Sequence, residues 1–148
     1  MVLFRKMTKE NQKDSARIKK TPERLMGIDY GKKKVGIALT DEGSNMAFPK
    51  YVLQNDDKIF EKVQKIIEEE NIKKVIIGRS LDYNMNPNPI MNEIRGFRRK
   101  LETRLRVETD YQDEFLTTQE ALRIQGRTDL TDASAAALIL KSYIEREE

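Results

Sequence analysis

The 148-residue sequence predicts an α/β domain: three hairpin-linked antiparallel strands, then β-α-β-α crossovers, giving a five-stranded mixed sheet flanked by helices. Three observations predict it. Short apolar runs separated by turn formers fill the first third of the chain. Beyond them, apolar runs alternate with segments of helical periodicity. Hydrophobic residues make up 38% and charged residues 36%, a balance that suits a small folded domain rather than a disordered chain.

The elements follow in order. Residues 1–23 show no clear periodicity and read as a basic, flexible N-terminal arm, with Thr21-Pro22 marking the boundary to a domain over 24–148. "RLMGIDY" (24–30) reads as a buried strand and "KVGIALTD" (34–41) as its partner, with "GKK" as the turn between them. "MAFPKYVLQ" (46–54) is a third strand, and Pro49 predicts an edge position for it. Residues 57–70 predict a helix with Ile59, Phe60, Val63, Ile66 and Ile67 on one face. "KKVIIG" (73–78) is short and apolar throughout, as expected at a sheet centre. "RSLDYNMNPNP" (79–89) is a loop rich in turn formers, and the helix after it aligns Ile90, Ile94, Phe97 and Leu101. "LRVETDY" (105–111) is the last strand. Thr117-x-x-Glu120 is a capping-box pattern opening a short helix over 117–124. "TDASAAALILKSYIE" (131–145) is a final helix, apolar almost all round as far as Leu140, which predicts packing on more than one side. This order fits the ribonuclease H-like architecture.

Composition removes several chemistries. Histidine and cysteine are both absent, which excludes a Ser-His-Asp triad, a histidine base, a histidine-bound zinc, a thiolate nucleophile and a disulfide framework. No apolar run approaches the ~20 residues of a membrane helix, and no secretory apolar segment stands near the start. The net charge of +3 is uneven: residues 1–24 carry +5 and the remainder −2. The basic character belongs to the arm, which reads as a solvated tail able to touch phosphates.

Three acids stand where such a fold gathers its ligands. Asp29 ends the first strand, Glu114 follows the last strand in "YQDEFLTT", and Asp132 opens the final helix. The central parallel strands of an open α/β sheet end at one edge, and ligands bind there. Converging carboxylates repel unless a cation neutralises them, and Mg²⁺ or Mn²⁺ does so through oxygen ligands. Each acid also has a plainer role: an Asx-turn before Gly31 for Asp29, a solvated loop acid for Glu114, and a helix cap for Asp132.

Three segments resemble the YqgF/RuvX family of Holliday-junction-resolvase-like, pre-16S rRNA processing nucleases: "GIDYGKKKVGIALTD" (27–41), "DEFLTTQEA" (113–121) and "DASAAALILKSYIE" (132–145), with "IIG" (76–78) at the expected intervening strand. The resemblance covers about residues 24–146. It implies that Asp29, Glu114 and Asp132 are the catalytic, metal-binding acids, with Asp113 a neighbouring candidate. It further implies a cytoplasmic bacterial protein and a Mg²⁺- or Mn²⁺-dependent phosphodiester hydrolase. The implied substrate is the 5′ end of pre-16S rRNA, with four-way DNA junctions as the alternative; a monomer and a homodimer are both open. The chain departs from the family pattern with "GRSLDYN" after the fourth strand, "NMNPNP" in the following loop, a short "QGRTDL" before Asp132, and the arm itself.

Candidate phosphate contacts are Lys32, Lys33 and Lys34 beside Asp29, Arg79 at a strand end, and Arg95, Arg98, Arg99 and Lys100 on one helix. Each cluster is also compatible with a solvated charged face. Tyr30 and Tyr83 are candidate stacking residues, with packing against the sheet the better reading for Tyr30. Two other functions compete: a nucleic-acid-binding factor of this fold without turnover, and an ATPase using "GIDYGKKKVGIAL" as a phosphate loop. The second needs another glycine-rich half, which 148 residues with 7 glycines do not supply.

Overall fold

The computed structural model describes residues 24–80, 89–114 and 130–147. The described residues hold five strands: β1 Arg24–Tyr30, β2 Lys34–Thr40, β3 Ala47–Gln54, β4 Ile72–Ser80 and β5 Glu108–Glu114. The helices are α1 Ile59–Glu69, α2 Met91–Lys100 and α3 Leu130–Glu147, and α2 continues into a π-helical turn, Leu101–Leu105. The sheet order is β3-β2-β1-β4-β5. The β1–β2 and β2–β3 pairs are antiparallel, and β1–β4 and β4–β5 are parallel. This is the expected mixed sheet, and Pro49 does sit on an edge strand, opposite Ala38 where the β2–β3 register shifts.

Alternation along the strands builds two cores. Met26, Ile28, Val35, Ile37, Val75 and Ile77 turn to one face and meet the apolar stripes of α1 and α2. Leu25, Ala38, Ala47 and Ile76 turn to the other face and meet Ala136, Ile139, Leu140 and Tyr143 of α3. The helix over 131–145 is therefore real, but it is not buried all round: Leu138 is 48% exposed. Small residues at its contact let it approach closely. A Cβ on Gly27 would lie 2.7 Å from the Ala136 carbonyl oxygen and 2.9 Å from the Leu140 Cβ.

The last strand is shifted from its expected place. Residues 105–107 are not strand; the apolar series Ile94, Phe97, Leu101 continues to Leu105, so the helical face runs on through the π turn. Arg106, with φ 55°, then turns the chain into β5, which extends to Glu114. Glu114 is thus the last residue of the strand rather than a residue after it. The expected helix over 117–124 lies outside the described residues, as does the arm over 1–23. Among the described residues no helix is long and apolar enough to cross a membrane.

Candidate active site

The carboxyl ends of β1, β4 and β5 lie at one edge of the sheet, because the three strands are parallel neighbours. Asp29 is the penultimate residue of β1 and is half-buried. Its alternation with Leu25 and Gly27 sets it on the α3 face of the sheet. Across β2 its partner is Gly36. One step beyond the Ile28–Ile77 pair, its neighbour on β4 is Gly78, which pairs in turn with Gln112 of β5. Asp29 therefore stands in a cross-sheet row between two residues without side chains. The Gln112 Oε1 in that row is buried and has no hydrogen-bond partner among the described residues, and a buried acceptor calls for a donor or a cation. Neither glycine nor Gln112 was singled out from the sequence. The register alone reveals them.

Glu114 ends β5 opposite Ser80, at the same edge and in the same alternation class as Asp110 and Gln112. Asp113 belongs to the other class and pairs with Arg79. Asp132 is the third residue of α3, one turn before Ala136, the residue that rests on Gly27. The side chains of Glu114 and Asp132 lie outside the described residues; among those described, no group of three or more acids forms a metal-holding cluster.

The lysine turn follows Asp29 directly. The Gly31 N–H donates to the Lys34 carbonyl at 2.9 Å, closing the turn. Lys32 and Lys33 are exposed and Lys34 is half-buried. Asn55, one residue past β3, braces the turn: its Nδ2 donates to the Gly31 carbonyl at 2.7 Å and its backbone N–H to the Lys33 carbonyl at 2.8 Å. Tyr30 packs inward with its ring centroid 5.1 Å from that of Phe97, so it is a core residue rather than an open stacking platform. Burial pushes its hydroxyl pKa up. Tyr83 lies outside the described residues.

The remaining cations are largely engaged within the fold. The Arg79 Nε donates to Asp113 Oδ1 at 2.6 Å, and that bond holds the guanidinium pKa up. The Arg98 Nε donates to Thr109 Oγ1 at 2.7 Å, and its guanidinium lies 4.3 Å from the centre of the Tyr111 ring, over which Arg79 also lies at 5.7 Å. Arg95 donates to Asn92 one turn earlier, and Lys100 lies 6.0 Å from the Phe60 ring centre. Arg99 is exposed. Arg79 and Arg98 belong to the α1/α2 side of the sheet, away from the face that carries Asp29. The network through Tyr111 was invisible in the sequence, where its members are scattered over 79–111.

Comparison with known proteins bears on the family and the fold. The RuvX family model, described as Holliday junction resolvase, matches residues 23–146. A protein of Desulforudis audaxviator (strain MP104C) is 33% identical over 131 residues, covering 82% of this chain and 93% of its own length. One from Nitratidesulfovibrio vulgaris (strain DSM 19637 / Miyazaki F) is 29% identical over 126 residues, covering 84% and 85%. Both carry the name "Putative pre-16S rRNA nuclease". Among solved structures, T. thermophilus RuvC in complex with Holliday junction substrate aligns with a TM-score of 0.56 and 16% identity over 84% of this chain and 96% of that one. At that identity the likeness is one of fold, and it agrees with the ribonuclease H-like architecture read from the element order. The matched span takes in every described element but the last residue of α3, and the chain belongs to the RuvX family.

Proposed function

We propose that this RuvX-family nuclease hydrolyses phosphodiester bonds with a divalent cation held by Asp29, Glu114 and Asp132, and that its substrate is the 5′ end of pre-16S rRNA. The observation that carries the reading is the position of Asp29: the tip of the central strand, between Gly36 and Gly78, on the face covered by α3. Glu114 ends a parallel strand at the same edge, and Asp132 lies in the first turn of the helix that rests on β1. A donor set made only of carboxylate and amide oxygens, in a chain without histidine or cysteine, fits hard Mg²⁺ or Mn²⁺. Such a cation would supply the charge that lets the carboxylates share one site and would polarise the scissile phosphate. The chain's own contribution is to fix the acids on rigid elements and to offer Lys32 and Lys33 beside them as backbone contacts without sequence preference.

The RNA assignment follows the names of the curated relatives. It carries a cytoplasmic location with it. The test is to incubate the purified protein with precursor 16S rRNA and with a four-way DNA junction, with and without Mn²⁺. We expect Mn²⁺-stimulated cleavage of the RNA, reduced on the order of 10²-fold or more in Asp29→Asn with an unchanged circular dichroism spectrum. Unchanged cleavage by the Asp29→Asn protein overturns the site. Preferential cutting of the junction overturns the RNA assignment.

A further inference from the structure

We infer that Asn55 is a positioning residue for substrate binding: it locks the β1–β2 turn so that Lys32 and Lys33 present their charges beside Asp29. The inference rests on the nuclease reading above and deepens its substrate grip. Asn55 bonds the turn at two points. Its side-chain Nδ2 reaches the Gly31 carbonyl at 2.7 Å and its backbone N–H reaches the Lys33 carbonyl at 2.8 Å. These points flank Lys32 on both sides. Tyr30, the residue before Gly31, is anchored by its ring on Phe97, so the braced turn is tied to the core through α2. The next residue, Asp56, accepts from the Lys58 N–H at 3.0 Å and from Lys62 Nζ at 3.1 Å, which fixes the start of α1 just behind the brace. A lysine side chain is a flexible point charge, and a mobile turn would add its own ordering cost to every phosphate contact. A turn cross-bonded to the neighbouring strand end has already met that cost on folding. The structural demand is small: the turn closes through Gly31 and Lys34 without Asn55. Bracing so short a turn at two further points is better explained by what it displays.

The experiment measures binding of a fluorescently labelled RNA stem-loop by anisotropy, in EDTA, so that turnover plays no part. Asn55→Ala is expected to weaken binding about five- to tenfold, the scale of one or two lost hydrogen bonds. In a Lys32→Ala/Lys33→Ala background the same substitution is expected to change binding by less than about twofold, because nothing remains for the brace to position. Asn55→Ser removes the Nδ2 bond to the Gly31 carbonyl while keeping a polar side chain, and gives a second variant should Asn55→Ala fold poorly; it is expected to follow the same pattern. Unchanged binding in both single variants overturns the inference, and so does an equal loss with and without the lysines, which is the signature of a merely structural role. Either result leaves the nuclease reading intact. Persistent cleavage by Asp29→Asn would overturn the metal site and leave the binding cycle unaffected.

Discussion

Asp113 and Glu114 are chemically alike and adjacent, yet β5 gives them opposite surroundings. The Asp113 carboxylate accepts from Arg79 on the α1/α2 side, where Tyr111 and Arg98 extend the network, whereas Glu114 shares the alternation class of Gln112 in the Asp29 row. From the sequence both acids stand beyond the last strand, so no alternation rule applies to them; once the strand runs to Glu114, parity separates them. Arg79 and Asp113 are 41% and 32% exposed, so solvent screens their attraction and their pair contributes modestly. Asp113→Asn is therefore expected to lower stability by at most about 1 kcal/mol while leaving metal-stimulated cleavage within about threefold of the parent. Glu114→Gln is expected to remove cleavage with no loss of melting temperature. Parallel thermal melts and cleavage assays on the two variants check this, and the reverse pattern would exchange the two acids' roles.

Helix α3 carries the third acid and lies on β1 without an intervening side chain. Ala136 and Leu140 occupy the space a Gly27 side chain would need, with a carbonyl oxygen at 2.7 Å. A methyl group there cannot be absorbed by a rotamer change, because the obstacle is backbone. Gly27→Ala is expected to cost about 1–3 kcal/mol and to lower cleavage further than the melt predicts, since the shifted helix takes Asp132 with it. Gly96 is the control: a Cβ there meets nothing within 4 Å and the residue lies inside α2, so Gly96→Ala is expected to stabilise by about 0.5–1 kcal/mol with activity unchanged. Denaturant melts on both variants test the contrast. The elements themselves were legible where burial and period coincide: the apolar faces of α1 and α2 and the runs of β1 and β2 appear where the pattern puts them. β4 does too but runs on to Ser80, so Arg79 and Ser80 are strand rather than the start of the expected 79–89 loop, most of which lies outside the described residues. The start of β5 was not, because Leu105 satisfies a helical period and a strand composition equally well, and only the packing of the π turn against the core decides.

The described residues form a sheet with two cores, and their carboxylates, lysines and arginines sit outside both, while the phenols of Tyr30 and Tyr143 pack against or within them. That arrangement was largely legible, since three hairpin-linked strands followed by right-handed crossovers leave few sheet orders open. The long-range polar contacts were not, because pairs such as Asn55–Gly31 and Arg98–Thr109 obey no local periodicity. They nevertheless set how stability answers to pH. The Asp41 carboxylate accepts from the backbone N–H groups of Asn45 and Met46, and Asp56 accepts from Lys62 and the Lys58 N–H; both pKa values fall below the ordinary range in the folded state. The unfolded chain therefore binds more protons in the window just under pH ~4, so this contribution is complete above that range and is lost as the pH falls through the lower folded values. Tyr30 is displaced the other way, raised by burial above its ordinary value near 10. Its contribution is complete below pH ~10 and is lost as the pH rises through the folded value, because the unfolded phenol ionises first. Between these limits the chain has no histidine to titrate. Melting temperature is accordingly expected to be flat from about pH 5 to 9, to fall on both sides, and to fall less steeply on the alkaline side in Tyr30→Phe. A step in the melting temperature between pH 6 and 8 in metal-free buffer would contradict this.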